Sequence, residues 1–209
     1  MATVRGKYQR ASSNIPIMGR PARYDADSLL DVAVGLAAGR GPQAVTMAAV
    51  IEAAGATSGS LYHRFPSRPA LLAALWLRTL ERFQEGFLRA ARGEDGLGAA
   101  LGAAAHTIEW SRDHGEEARV LVYGAADFGY ESWAEPERQS LASRQAEVAA
   151  AIDALAAKLD LQGGDARERV LLATVDIPLA LVRRRLTSGE RVPAGAEQLI
   201  EPAVRALIS

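Results

Sequence analysis

Apolar residues return at three- and four-residue spacing along most of the chain, the period of helices buried on one face. The pattern predicts an all-α protein of about nine helices. Leu29, Ala33, Leu36 and Ala37 stripe a first helix over about residues 25–38, ended by Gly39 and Gly41. Two short helices follow. Leu72, Leu75, Trp76, Thr79, Leu80, Phe83 and Phe87 then share one side of a long helix over about 68–91. The next, about 97–112, carries Leu97, Leu101, Ala104 and Ile108 on one face and His106 and Trp110 on the other. A helix dressed on both faces is surrounded or lines a cavity. Helices over about 116–126 and 137–159 flank an aromatic loop. In the helix over about 166–186, residues 170–182 leave little polar face, and Ile200, Val204 and Leu207 stripe a last one over about 194–208. An apolar terminal helix beside an all-round apolar one predicts subunit association, through Val175, Leu179, Val182, Leu186, Ile200, Val204 and Leu207.

The two short helices form the most specific stretch. Thr46 is placed to cap the first, in which Met47, Val50, Ile51 and Ala54 share a face. Gly55 can stop it with a positive φ, and Thr57 or Ser58 caps the second, whose Leu61 and Phe65 point inward. That leaves Gly59, Ser60, Tyr62 and His63 facing out. A helix–turn–helix of this size lays its second helix in a DNA major groove.

The run Ala56-Thr-Ser-Gly-Ser-Leu-Tyr-His-Arg-Phe-Pro-Ser-Arg-Pro-Ala-Leu-Leu72, preceded by Thr46 and Gly55 at fitting offsets, resembles the TetR family of transcriptional regulators. The resemblance covers about residues 25–75. Departures are Ala56, Ser58 and Pro69, where a larger aliphatic, a Lys or Pro, and an acid are common. The resemblance implies phosphate contacts for Thr46, Tyr62 and Arg68, and base reading for Thr57, Ser58, Gly59, Ser60 and His63. It also implies a homodimer paired through its last two helices.

Charge adds a polarity along the chain. Residues 1–78 hold nine Lys/Arg against four Asp/Glu, a balance of +5, whereas residues 79–209 hold fifteen against twenty-one, a balance of −6. A basic front on an acidic body suits a head that binds a polyanion. Residues 1–24 carry basic residues and no acid, and Arg20 and Arg23 beside Gly19 and Pro21 suit an arm in a narrow minor groove. The chain has no cysteine, and its three histidines include no i, i+4 pair, so neither a disulfide framework nor a metal site is expected. No long apolar run and no signal-like leader are present, so a cytoplasmic protein is expected.

The expected organisation is a flexible basic arm (1–24), a helix–turn–helix domain (25–70), and an effector-binding and dimerisation domain (71–209). Phe87, His106, Trp110, Tyr123, Phe128, Tyr130, Trp133 and Asp176 are the candidate effector lining. Asp176, two residues before Pro178 in an apolar helix, reads as a buried acid that either orients a polar group or pairs with a neighbour. No nucleophile–base set and no phosphate loop is visible, so neither an enzyme nor a cofactor is expected. The reading is a homodimeric regulator, a repressor released from a palindromic operator by a small, moderately apolar or aromatic effector. The alternative is an effector-independent architectural DNA-binding protein.

Overall fold

The computed structural model describes residues 25–161 and 163–209, all helix and connecting turns with no strand among them. Local chemistry sets the first elements. Asp25 accepts the Ser28 N–H at 2.7 Å and starts α1 (Ala26–Arg40), which Gly41 ends at φ +81°. After a 3-10 turn (Pro42–Ala44), Thr46 accepts the Ala49 N–H at 3.1 Å and caps α2 (Met47–Ala54). Gly55 takes φ +63°, a left-handed turn that a Cβ would disfavour. Thr57 then caps α3 (Ser58–Arg64) through the Ser60 N–H at 3.2 Å. Leu29, Ala33, Val45, Val50, Leu61 and Phe65 close the core of this head, together with Leu71, Leu72 and Leu75.

Ser67 caps α4 (Arg68–Ala91), where Pro69 falls in the first turn and loses no hydrogen bond. The body follows as α5 (Gly96–Asp113), α6 (Gly115–Val122), α7 (Glu135–Lys158), α8 (Ala166–Leu171), α9 (Ile177–Thr187) and α10 (Ala196–Ile208). α4 belongs to both cores: Leu71 to Leu77 pack in the head, while Phe87, Leu88 and Ala91 pack in the body. The head core also continues into the second half of the chain through Val120, Phe128, Trp133 and Leu141. Arg169 of α8 reaches the last turn of α10, donating to the Leu207 carbonyl at 2.7 Å and the Ser209 carbonyl at 2.8 Å. A guanidinium there satisfies helix-end carbonyls and complements the helix dipole.

The run read as one helix over 166–186 is interrupted. Residues Leu172–Asp176 form a π turn between α8 and α9, and the Ile177 N–H reaches back to the Leu172 carbonyl. The cause is Pro178, which has no N–H to donate and would press its ring on the carbonyl four residues earlier. Widening the turn relieves that clash and rotates the residues around it. Asp176 consequently lies at the surface of the chain, not inside it, so no buried partner is required.

A second correction concerns the tail. Val182, Leu186, Ile200 and Val204, expected at a subunit interface, are buried in the body core of a single chain, with Val204 wholly inaccessible. Val175 and Leu207 pack against the same core, and Leu179 faces the cavity described below. The large apolar side chains that α8, the π turn and α10 leave exposed are Leu172 and Leu199, the latter 70% exposed. Pro202, Ala203 and Ala206 continue that open side of α10.

Candidate nucleic-acid interface and an apolar cavity

The head presents a compact surface around α3. Thr46, Thr57, Ser58, Gly59, Tyr62 and His63 are exposed and Ser60 is half-buried. Tyr62 is 51% exposed, an uncommon setting for a large aromatic ring without a partner surface. A Cβ at Gly59 would meet nothing within 4 Å, so the α3 backbone lies open to close approach there. The Ser60 hydroxyl accepts from Arg64 Nη1 at 3.1 Å and keeps its own proton to donate outward. Thr46 and Thr57 spend acceptor capacity on their caps and keep theirs as well.

Arg68 behaves otherwise. Its Nε donates to the Val45 carbonyl at 2.7 Å and its Nη2 to the Pro42 carbonyl at 3.1 Å. The guanidinium expected on a phosphate is thus turned onto the turn that leads into α2. Arg20 and Arg23 lie outside the described residues.

A cavity of about 150 Å³ opens where α4, α5, α6 and α9 meet. Trp76, Leu80 and Phe83 come from α4, Thr107, Trp110 and Ser111 from α5, Ala118, Leu121 and Val122 from α6, and Leu179 and Val182 from α9. Both hydroxyls are committed to their own helix, Thr107 to the Ala103 carbonyl at 3.3 Å and Ser111 to the Thr107 carbonyl at 2.7 Å. Of the eight side chains expected to line a site, only Trp110 lines this cavity.

The other seven have different places. Phe128 and Trp133 are buried in the head-side core, where Trp133 Nε1 donates to the Phe128 carbonyl at 2.9 Å. Trp133 also stands between Trp76, at 6.0 Å, and Tyr130, at 5.5 Å between ring centroids. Tyr123 is at the surface, meeting Phe128 edge-on at 6.4 Å, and Phe87 fills the body core. His106 sits over Gly86 of α4, with Nε2 2.9 Å from the Phe83 carbonyl. Sequence reading missed Trp76, Leu80 and Phe83 as cavity walls, though all three stood on the α4 stripe.

Burial pushes His106 below the usual 6.5, with Arg89 and His114 adding to the effect, against an opposing hydrogen bond to the Phe83 carbonyl and the charge of Glu109. The unfolded chain therefore binds a proton more readily than the folded one. Stability should be intact above about pH 6.5 and fall as the pH drops toward the lowered folded value. Urea midpoints taken between pH 8 and pH 5.5 test this. Replacement of His106 by Gln should flatten that part of the profile, and a stability rising toward acid would contradict the assignment.

An ion-pair network ties the head to the body. Arg78 Nη1 lies 3.0 Å from Asp27 and Nη2 2.8 Å from Asp31, both on α1. Arg82, one turn along α4, stands 3.7 Å from Asp31 and 2.8 Å from Glu117 of α6. His114 Nδ1 completes the chain at 3.2 Å from Glu117, with its ring stacked on Trp110 at 5.1 Å.

Residues 29–75 match the family model described as bacterial regulatory proteins, tetR family. The chain is a TetR-family transcriptional regulator. Its helix–turn–helix is the family's DNA-binding element, and its fold is shared across solved regulators. It superposes on the fatty acid degradation regulator FadR from Bacillus halodurans with a TM-score of 0.68, at 15% identity over 88% of this chain and 98% of the other. FadR from Bacillus subtilis, solved in complex with stearoyl-CoA, gives 0.66 at 14% identity over 88% and 98%. A putative TetR-family regulator from Rhodococcus sp. gives 0.65 at 22% identity over 88% and 98%. No curated protein sequence matches the chain. Among the described residues of this TetR-family regulator, no helix is long and apolar enough to cross a membrane, and no metal-binding cluster of His, Cys, Asp and Glu occurs.

Proposed function

We propose that this regulator is a homodimeric repressor whose two α3 helices read the halves of a palindromic operator, and that a small apolar effector releases it. The apolar cavity between α4 and the body carries this reading. α4 is the rod on which the head is mounted, so a molecule wedged beside Trp76, Leu80 and Phe83 bears on the head's support. The effector need only bind the DNA-incompetent arrangement more tightly than the competent one. Trp110, His114, Glu117, Arg82 and Asp31 form a contiguous series from the cavity wall to α1, the physical means by which a displacement would be passed on. An architectural DNA-binding protein has no use for such a cavity beside the head's support.

Leu172 and Leu199, with Ala203 and Ala206, form the face proposed to meet a second copy. Fatty-acyl thioesters, suggested by the stearoyl-CoA complex of the Bacillus subtilis FadR, are the competing effector class.

On the DNA side, Thr46 and Tyr62 are assigned to phosphates and Thr57, Ser58, Gly59, Ser60 and His63 to the groove. Gly59 gives the sharpest test. Its replacement by Ala should leave the fold intact and raise stability by up to about 1 kcal/mol, because alanine favours helix. Gly59→Leu should fold equally well yet lose at least about tenfold in affinity for a selected duplex, since a side chain there blocks backbone approach to the bases. Melting curves and electrophoretic mobility shifts on duplexes from random-site selection measure both. Full DNA affinity in Gly59→Leu would remove α3 from the groove.

A further inference from the structure

We infer that the cavity between α4, α5, α6 and α9 takes a small neutral molecule built on a single six-membered aromatic ring, and rejects carboxylates and acyl thioesters. The inference rests on the reading of this cavity as the effector site and specifies its chemistry. Size comes first. A cavity of about 150 Å³ with a mainly apolar lining has room for one benzene-sized molecule. A long acyl chain needs several times that space.

Polarity comes next. Among the described residues, no titratable side chain lines the cavity. The Thr107 and Ser111 hydroxyls donate to α5 carbonyls, and Trp76 Nε1 is buried without a partner, shielded from contact with even a water. A charged ligand would therefore lose its hydration and gain no counter-charge, the costliest kind of burial. The walls select a ring instead. Phe83 and Trp110 meet edge-on at 5.3 Å and, with Trp76, present aromatic faces and edges to the opening. An aromatic guest can continue that arrangement in offset or edge-to-face geometry.

The test uses the full-length protein and a series of constant ring and rising polarity: toluene, benzyl alcohol and benzoate, with octanoyl-CoA as the acyl arm. Tryptophan fluorescence and calorimetry report binding, and release from a selected duplex reports function. Toluene should bind saturably at one site per chain, with benzyl alcohol weaker and benzoate at least about a hundredfold weaker. Leu179→Phe, which fills the cavity from a half-buried position, should weaken toluene at least about tenfold while keeping its helical circular dichroism. Should that variant fail to fold, the toluene-to-benzoate ratio of the unaltered protein decides the matter. Benzoate or octanoyl-CoA binding as tightly as toluene, or toluene uptake that never saturates, overturns the proposal. Toluene binding without DNA release would leave the ligand class standing and remove the effector reading. Release by octanoyl-CoA alone would do the reverse.

Discussion

Gly86→Ala should destabilise the protein by about 1–3 kcal/mol, and removing His106 in the same chain should restore most of the loss. Gly86 is where α4 and α5 cross. A Cβ built there would lie 2.1 Å from His106 Cε1, 2.7 Å from Nδ1 and 2.8 Å from Nε2, well inside van der Waals contact. The ring would have to leave its place over α4 and give up its bond to the Phe83 carbonyl. Overpacking costs about 1–3 kcal/mol, and the lost hydrogen bond about 0.5–1.5 more. Alanine's better helix propensity returns about 1 kcal/mol at most, so the clash wins. In Gly86→Ala/His106→Ala the clash vanishes while the propensity gain remains, so the double variant should be more stable than the sum of the singles implies. Urea denaturation of the four proteins gives the coupling. Strict additivity would mean that the His106 ring moves aside freely and that the crossing is loose.

What the sequence disclosed, and what it withheld, divides along the range of the interactions involved. Caps at Thr46 and Thr57 and the left-handed Gly55 are settled within three or four residues, and all were legible. The apolar stripes located the helices for the same reason. A stripe says that a face is buried but not what buries it. Val182, Leu186, Ile200 and Val204 carry the same signature whether they meet a second subunit or their own core, and they meet their own core. Asp176 was misplaced because a π turn ahead of Pro178 shifts the helical register by part of a turn, which an even 3.6-residue count does not register. The cavity was half legible. Aromatic and apolar residues on both faces of α5 signalled enclosure, but which rings would face the gap depended on how α4 and α9 cross it.

Arg68 shows the same limit and yields the second large expected effect. Its guanidinium joins α4 to carbonyls 23 and 26 residues upstream, a connection no local spacing discloses. Those carbonyls belong to the turn that hands the chain from α1 to α2, so the contact fixes how the reading pair sits on α4. Hydrogen bonds from a charged donor contribute about 1.5–3 kcal/mol each. Water can replace part of that at a half-buried site, so Arg68→Ala should destabilise the head by about 2–3 kcal/mol. Arg68→Lys should recover only part, because an ammonium cannot span two carbonyls as a planar fork does. DNA binding by the folded protein separates this from a phosphate role. A phosphate anchor removed would flatten the salt dependence of affinity by about one, whereas loss of a clamp leaves that slope in place and shifts the unfolding midpoint. Measured together, denaturation and a salt titration on one selected duplex should give a lower midpoint with an unchanged slope. An unchanged midpoint with a slope lowered by about one would return Arg68 to the phosphates and leave the turn before α2 supported by its own backbone.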